Sequence, residues 1–357
     1  MGMENIKEGD VEIEVHEGRS YDKEVFYNPK MEFDRNLSVV VVSVFGPRKV
    51  CDALSASGIR GIRYKKEADA SEVWLNDANL KASRLIHDNM RKNSLCGEIR
   101  NKDAAVLLRE EDFDFIDLDP FGSPAEFLDS AAGSIRSGGL IGVTATDTSS
   151  FFGTYPRVSR RRYGRKSMKT GYNKELGLRI LVSAVIESLG RYKKTFYPKI
   201  CYFREHYARI FGKVAKGGKE VQENFRNFGY ISHCFSCGWR DSGFYKNCKY
   251  CGNQTEVVNV YMGKLNNQNF CRAVAEECGK RGFDEESEMV NNLTEDMEVP
   301  YHHDIHYIAK KHTIPVKKTE SIIERLCECG YKTKKSVYSP TAVKTEAPFD
   351  KVVEMIK

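Results

Sequence analysis

The sequence contains no apolar run long enough to cross a membrane. Its longest, residues 37–45, is about half of the roughly 20 residues that a membrane helix needs. The first residues, MGMENIKEGDVEIEV, mix charged and apolar side chains and lack the apolar core of a secretory signal. Internal repeats and long low-complexity stretches are also absent. We therefore expect a cytoplasmic protein, and nothing points to a membrane or to an obligatory protein partner.

A strong charge of either sign is missing as well. The 357 residues carry a net charge of +6, with 41% hydrophobic and 30% charged residues. This mixture is typical of a globular protein and excludes a disordered or fibrous chain. So small a surplus does not by itself indicate nucleic-acid binding, because the distribution of the charge matters more. The length allows two ordinary domains.

Strand-like and helix-like segments alternate through the first part of the chain. Residues 49–56, 71–77, 113–118 and 139–146 resemble strands, with helical patterns between them. Repeated β-α-β units predict an α/β fold with a mostly parallel sheet, which binds ligands at the carboxyl ends of its strands. The segment KVAKGGKE is typical of a linker, and a segment rich in cysteine and aromatics follows it. We predict one domain over residues 1–218 and a smaller α+β domain over residues 219–357.

A small-residue turn, Asp52-Ala-Leu-Ser-Ala-Ser-Gly58, stands where a strand meets a helix. It is related to the glycine-rich dinucleotide turn but lacks its GxGxxG pattern, which weakens an NAD enzyme as the alternative. Asp77 ends the next strand, where a carboxylate can accept hydrogen bonds from ribose hydroxyls. Asp103 ends the following segment, where a side chain could bind an adenine amine. An ordinary turn with surface acids remains the alternative interpretation.

The most informative motif is Asp117-Leu-Asp119-Pro120-Phe121-Gly122, directly after a strand. An exocyclic amine of a base is a poor nucleophile because its lone pair is delocalised. The Asp119 carboxylate and the Pro120 carbonyl could accept its two N–H groups, and Asp119 could then take the proton. Phe121 offers a face on which a base can stack. The motif favours methylation of a base amine, although Asp-Pro is also a common turn signal.

Close-set cysteines in a cytoplasmic protein more often bind metal than form disulfides. Two Cys-x-x-Cys pairs, each followed by glycine, can hold one structural zinc with four thiolates. The alternative is reduced or redox-active cysteines. The predicted zinc ligands are Cys234, Cys237, Cys248 and Cys251. Three further histidines, at positions 302, 303 and 306, lack a carboxylate context, and we predict that they lie on the surface.

Five ordered motifs resemble the tRNA (guanine-26-N2) dimethyltransferase family. They are Val25-Phe-Tyr-Asn-Pro29, Asp34-Arg-Asn-Leu-Ser38, residues 52–63, residues 117–122 and His206-Tyr-Ala-Arg209. The resemblance implies a class I (Rossmann-like) methyltransferase fold with a seven-stranded sheet, and S-adenosyl-L-methionine as cofactor. It also implies transfer of one and then a second methyl group to N2 of guanosine 26 in tRNA.

The resemblance also implies roles for single residues. Arg35 and Arg60 would contact the methionine end of the cofactor, Asp77 the ribose, and Asp103 with Ala104 the adenine. Together with the turn, the expected cofactor-binding residues are Arg35, Asp52, Arg60, Asp77, Asp103 and Ala104. Asp119 would be the catalytic acid and base, beside Pro120, and Phe26 and Phe121 would sandwich the guanine. The Asp-Pro-Phe-Gly ending differs from the Pro-Pro-Tyr and Pro-Pro-Phe endings of amine methylases that act on DNA.

A basic segment over residues 157–169 contains no acid and should lie near the active-site edge, where it can neutralise phosphates. The predicted tRNA-binding residues are Arg157, Arg160, Arg161, Arg162, Arg165 and Lys166. A solvated basic loop is the alternative. Two other functions stay open: an exocyclic-amine methyltransferase acting on DNA or ribosomal RNA, and a non-catalytic zinc-containing RNA-binding protein.

Overall fold

A computed structural model describes residues 2–16 and 24–357. A seven-stranded sheet with the order β5-β4-β3-β6-β7-β9-β8 forms its centre. Neighbouring strands are parallel from β5 to β7, and β9 runs antiparallel to both β7 and β8. The strands are β3 (Lys49–Asp52), β4 (Glu72–Asn76), β5 (Glu98–Arg100), β6 (Phe113–Leu118), β7 (Ile135–Ala145), β8 (Lys194–Arg204) and β9 (Tyr207–Lys216).

Helices cover both faces of this sheet because successive strand residues point to opposite sides. Val50 packs with α1, α2 and α3 on one side, whereas Cys51 packs with α4, α5 and α8 on the other. Two short helices, α6 and α7, follow β7. The helices are α1 (Glu32–Phe45), α2 (Ile59–Glu67), α3 (Leu80–Lys92), α4 (Ala104–Glu110), α5 (Leu128–Ser134), α6 (Thr148–Phe151), α7 (Pro156–Tyr163) and α8 (Asn173–Gly190).

An antiparallel hairpin of β1 (Met3–Glu8) and β2 (Val11–His16) precedes this domain. Val11, Ile13 and Val15 alternate with polar residues and are buried among the side chains of α1, α2 and α3. The hairpin therefore adds its own apolar face to one helical layer, and it places Glu8 beside Arg35 of α1 and Arg63 of α2.

The segment KVAKGGKE, residues 213–220, is not the linker that we expected. Residues 213–216 are the end of β9, which pairs with β8, and α9 (Gly218–Phe225) begins two residues later. A three-stranded antiparallel sheet follows, in which β10 lies between the other two strands. Its strands are β10 (Phe228–His233), β11 (Arg240–Ser242) and β12 (Glu256–Tyr261).

After β12 the chain forms five helices and a small sheet, in which β15 lies between β13 and β14. Helices α10 and α11 pack on each other and against α1, so this part of the chain also covers one helical layer of the seven-stranded sheet. The elements are α10 (Gln268–Lys280), α11 (Asp284–Leu293), β13 (His303–Asp304), α12 (Ile305–His312), α13 (Thr319–Glu328), β14 (Thr333–Lys335), β15 (Ala342–Thr345) and α14 (Phe349–Ile356).

The expectation of three surface histidines is wrong for His302 and His303, which are buried. The Nδ1 atom of His302 lies 3.1 Å from Oε2 of Glu175 on α8, and this pairing compensates its burial. His306 is exposed, as expected. In residues 2–16 and 24–357, no helix is both long and apolar enough to cross a membrane.

Candidate active site and metal centre

The cofactor turn lies between β3 and α2, at the carboxyl edge of the sheet. Gly58, the residue before α2, has φ = 82°, a left-handed conformation that favours glycine. Oδ2 of Asp77 accepts a hydrogen bond from the Ala56 N–H at 2.9 Å, and Oδ1 accepts one from the Asn79 N–H at 2.8 Å. Asp77 therefore shapes the turn, and because each carboxylate oxygen can accept more than one bond, it can still bind hydroxyl groups.

Asp103 and Ala104 lie next along this edge, at the start of α4. Oδ1 of Asp103 caps the helix by accepting hydrogen bonds from the N–H groups of Ala105 at 2.8 Å and Val106 at 3.2 Å. Asp103 is exposed and Ala104 is buried. The other carboxylate oxygen of Asp103 is free to accept a hydrogen bond from a ligand.

Asp52 is 1% exposed and lies beneath the turn. Its Oδ2 accepts a hydrogen bond from the Gly61 N–H at 3.0 Å, which fixes the first turn of α2 to the end of β3. Burial, reinforced by the charge of Asp117, raises the pKa of Asp52 to about 7. Asp52 thus supports the cofactor turn from below.

The carboxylate of Asp119 lies directly after β6 and is 23% exposed. Nη2 of Arg60 donates to Oδ2 of Asp119 at 2.6 Å and to Oδ2 of Asp34 at 2.7 Å. Burial opposes the negative charge of Asp119, but Arg60 and then Arg209 hold its pKa below the usual value. Asp119 is therefore an anion at neutral pH and a ready hydrogen-bond acceptor.

Arg209 completes this charged group from β9, where it is fully buried. Its Nη1 donates to Oδ1 of Asp117 at 2.6 Å and to Oγ1 of Thr144 at 2.8 Å. The hydroxyl of Tyr64 also donates to Asp117. The carboxylates of Asp34, Asp117 and Asp119 thus each face an arginine, as a charge removed from water requires.

Arg35 lies on α1, and its guanidinium is 5% exposed. Glu8 of the amino-terminal hairpin accepts two hydrogen bonds from it, and the Nε to Oε1 distance is 2.6 Å. Nη1 of Arg35 donates to the Asn28 carbonyl at 3.1 Å. This pairing fixes the direction of the guanidinium, whose remaining N–H groups can bind a carboxylate.

Phe26 and Phe121 face each other, with ring centroids 5.6 Å apart and an interplanar angle of 59°. A base stacked between two rings needs about 7 Å, that is, two contacts of about 3.5 Å. The two rings must therefore separate before a guanine can enter. The backbone that follows Phe121 is fixed, because the Gly122 N–H donates to Oγ1 of Thr146 at 2.8 Å.

The basic segment forms α7 and the loop after it. Arg157, Arg160 and Arg161 are exposed, whereas Arg162 pairs with Asp147 at 2.8 Å. Arg165 is buried, and both its terminal nitrogens contact Glu187, at 2.7 and 2.6 Å. Its Nε donates to the Asn259 carbonyl of β12 at 2.6 Å, so the structure places Arg165 between α8 and β12 and not at the surface. Lys166 is exposed and pairs with Glu256 at 2.9 Å.

The four predicted zinc ligands lie together, with their sulfur atoms within 4.8 Å of one another. The Sγ atoms are 3.6 Å apart for Cys234 and Cys251, and 3.5 Å for Cys237 and Cys248. Tetrahedral zinc with sulfur at about 2.3 Å needs sulfur atoms about 3.8 Å apart. The N–H groups of Tyr250 and Cys251 also point at Sγ of Cys248, at 3.3 and 3.4 Å. The donor set fits a closed, structural zinc site.

Comparison with known proteins decides between the open alternatives. A model of the family "N2,N2-dimethylguanosine tRNA methyltransferase" matches residues 2–357. The chain belongs to this family. Similar proteins include the tRNA (guanine(26)-N(2))-dimethyltransferases of Thermococcus kodakarensis, 36% identical with all of both chains covered, and of Archaeoglobus fulgidus, 35% identical with 97% and 99% covered. The structure of Trm1 from Pyrococcus horikoshii with S-adenosyl-L-methionine has a TM-score of 0.90 at 32% identity, and 99% of each chain is covered.

Membership confirms the resemblance, the class I methyltransferase fold and the expected activity of a tRNA guanine-N2 dimethyltransferase. It removes DNA and ribosomal RNA as alternative substrates, together with the non-catalytic binding protein.

In this tRNA dimethyltransferase, sequence reasoning missed two charged residues near the predicted site: Glu8, which holds Arg35, and Arg209, which pairs with Asp117. The alternation in β2 could have revealed the hairpin that carries Glu8. For Arg209, the only signal in the sequence was the motif His206-Tyr-Ala-Arg209.

Proposed function

We propose that this dimethyltransferase transfers one and then a second methyl group from S-adenosyl-L-methionine to N2 of guanosine 26 in tRNA. The observation that carries the proposal is the placement of Asp119. Its carboxylate is ionised and partly open to solvent, beside Pro120 and an aromatic ring that is 77% exposed, at the ligand-binding edge of the sheet.

The contribution of Asp119 and Pro120 is to orient the base amine. When their oxygen atoms accept its two N–H groups, the nitrogen lone pair is localised and directed out of the hydrogen-bonded side. Because the low pKa of Asp119 makes it a weak base, we expect it to receive the proton as the new N–C bond forms and not before. The N2 nitrogen becomes acidic at that moment, so a weak base suffices.

The cofactor supplies the methyl group as an activated sulfonium. We propose that Arg35 binds its carboxylate, that Asp77 accepts hydrogen bonds from the ribose hydroxyls, and that Asp103 and Ala104 hold the adenine. The spare acceptor positions of Asp77 and Asp103 and the free N–H groups of Arg35 support these roles. Zinc, held by the four clustered cysteines, would stabilise the second domain.

We propose that tRNA binds along α7 and the adjoining second domain. Of the predicted residues, Arg157, Arg160 and Arg161 carry exposed guanidinium groups, and Arg162 and Lys166 keep ion pairs that RNA phosphates could replace. A stacked guanine must leave its helix to reach Asp119, which costs a few kcal/mol. Phosphate contacts on both domains would offset that cost. The cytoplasmic location stays a prediction.

The test is a methyl-transfer assay on an unmodified tRNA transcript with labelled S-adenosyl-L-methionine, followed by nucleoside analysis. We expect N2-methylguanosine first and N2,N2-dimethylguanosine later, and neither product from a transcript with adenosine at position 26. Label on another nucleoside, or label that persists without guanosine 26, would overturn the proposed position.

A variant tests the chemistry in the same assay. We expect Asp119→Ala to bind the cofactor with nearly native affinity, measured by calorimetry, and to lose methyl transfer. Native turnover in this variant would exclude the mechanism.

A further inference from the structure

Two aromatic rings are exposed on the outer face of the three-stranded sheet that carries the cysteine pairs. Tyr230 on β10 is 45% exposed, whereas Ile231 is fully buried in the same cluster as the side chains of α8. Because successive strand residues point to opposite sides, Tyr230 lies on the face turned away from the core. Phe244, which follows β11, is 58% exposed, and its ring centroid lies 5.4 Å from that of Tyr230 with an interplanar angle of 86°. We call Tyr230 and Phe244 the aromatic pair.

The main chain holds Phe244 in this exposed place. The Gly243 N–H donates to the Tyr230 carbonyl at 2.8 Å, and the Tyr245 N–H donates to Oγ of Ser232 on β10 at 3.0 Å. The loop is thus tied to β10 on both sides of Phe244. Gly243 has φ = 130°, which favours glycine, so the turn that presents Phe244 depends on that residue. A loop that is already fixed loses little conformational entropy when a ligand binds.

The aromatic pair adjoins the surface on which we propose that tRNA binds. The hydroxyl of Tyr163, at the end of α7, lies 2.9 Å from Oγ of Ser123, in the loop that follows the catalytic carboxylate. Two residues later, Nε of Arg165 donates to the carbonyl of Asn259 on β12. Asn259 is in turn the register partner of Tyr230. These contacts lead from the reaction centre, along α7, to the strand that carries Tyr230.

Free cations flank the aromatic pair along the chain. Arg226 lies two residues before β10 and Lys246 two residues after Phe244; both are exposed, and neither forms an ion pair within residues 2–16 and 24–357. The acids of the two edge strands are each already paired with a lysine at 2.9 Å, and these pairs are Asp241 with Lys249 and Glu256 with Lys166. The unpaired charge beside the rings is therefore positive, which is complementary to a phosphate backbone.

We propose that the aromatic pair is a stacking platform for an unpaired base of the tRNA substrate. The inference rests on the proposed function, in which tRNA binds along α7 and the adjoining second domain. A base inside an RNA helix is covered by its neighbours, so an unpaired base is the one that offers a free face to an aromatic ring. Two rings at right angles form a corner, in which a base that stacks on one ring meets the edge of the other.

The experiment measures the Kd of an unmodified tRNA transcript at several salt concentrations, for the native enzyme and for Tyr230→Ala and Phe244→Ala. We expect each variant to bind tRNA about 5- to 100-fold more weakly, because stacking on one aromatic ring contributes this much affinity. Stacking neutralises no phosphate, so the slope of log K against log salt should stay native in both variants. Lys246→Gln should instead make that slope less steep by about 0.7–0.9.

The controls separate stacking from other effects. Phe244→Tyr keeps an aromatic face and should keep nearly native affinity. Tyr192→Ala removes a ring that is 44% exposed at the opposite edge of the central sheet, and its tRNA affinity should be native. An RNA duplex offers no unpaired base, so the alanine variants should bind it as the native enzyme does, whereas they should bind a single-stranded oligouridine more weakly. Because both rings are exposed, neither alanine variant should lower the Tm.

Two results would overturn the inference: native tRNA affinity in both alanine variants, or an equal loss of affinity for the duplex and for tRNA. The KM for tRNA should rise in parallel with its Kd, while kcat at saturating tRNA changes less than about twofold, since the aromatic pair does not touch the reacting atoms. Failure of the proposed function looks different, because the native enzyme itself would then not methylate guanosine 26.

Discussion

Phe121 is the most exposed large apolar side chain in the described part of the chain, so its ring is open for a base to stack on. We expect Phe121→Ala to lower kcat/KM for tRNA, because the loss of stacking costs about 1–3 kcal/mol of binding free energy. The Kd of the cofactor should stay native. Phe121→Tyr should retain most of the activity. Tyr192→Ala is the control, because Tyr192 is 44% exposed at the opposite edge of the sheet. Equal losses in Phe121→Ala and Tyr192→Ala would exclude a specific stacking role.

Asp52 makes stability depend on pH. Its folded-state pKa of about 7 is above the value of about 3.9 in an unfolded chain, so folding favours the protonated form. The stability that this proton contributes is complete below about pH 4 and is lost as the pH rises through about 7. Relative to the native protein, we therefore expect Asp52→Asn to gain stability between pH 4 and pH 8, by at most about 4 kcal/mol.

Urea unfolding without cofactor at several pH values measures this difference. Asp69→Asn serves as the control, because Asp69 is exposed and its left-handed φ of 53° also suits asparagine. If the difference in the free energy of unfolding between the native protein and Asp52→Asn does not change with pH, the raised pKa of Asp52 is contradicted.

At the scale of elements, periodicity and motif order predicted the parts of the sheet that hold the site. The strands before Asp52, Asp77 and Asp119 lie where expected, because buried parallel strands are continuous apolar runs. The strand predicted over residues 139–146 begins earlier than expected, since α5 ends at Ser134 and Ile135 already begins β7. Periodicity depends on local sequence, so it could not show contacts between distant segments.

Such contacts decided the roles of several charged residues. A run of basic residues predicts an exposed surface, yet Arg165 in that run is buried because Glu187, on another helix, pairs with it. Arg35 and Arg60 likewise face acids that are far away in the sequence, Glu8 and Asp119. Sequence reasoning found these site residues, but it could not find the partners that fix their direction.

The zinc knuckles support a helix as well as their own loops. Nε2 of His312 lies 2.9 Å from the Cys237 carbonyl, and Nζ of Lys311 donates to the Phe235 carbonyl at 2.6 Å, so the end of α12 rests on the first knuckle. Because a structural zinc contributes directly to folding, we expect Cys234→Ser, or removal of zinc with a chelator, to lower the Tm.

The matched control is Cys327→Ser, since Cys327 is an exposed free cysteine outside the cluster. Elemental analysis should find one zinc per native chain and less in Cys234→Ser. A native Tm in Cys234→Ser, together with no metal in the native protein, would refute the structural zinc.

For the molecule as a whole, a buried charge network joins the two predicted domains. Nζ of Lys344 on β15 lies 2.9 Å from Oε1 of Glu175 on α8 and 2.7 Å from Oδ1 of Asp296. Arg179 pairs with the same Glu175 oxygen at 2.9 Å and donates to the carbonyls of Tyr261 and Gly263. Lys344 therefore adds a second cation to the Arg179–Glu175 pair of α8, and the buried charges of the two sides form one connected group.

This network predicts that the two domains unfold together. Lys344→Met leaves the Glu175 and Asp296 carboxylates short of a cation, and we expect it to reduce the free energy of unfolding by about 3–5 kcal/mol. The double variant Glu175→Gln with Lys344→Met removes one of those charges, so it should recover part of the loss. Urea unfolding followed by tryptophan fluorescence measures the stability of both variants, because Trp74 lies in the sheet and Trp239 beside the zinc knuckles.

The native protein should give a single transition, to which both tryptophans contribute. Two separate transitions of the native protein would show that the network does not couple the two predicted domains.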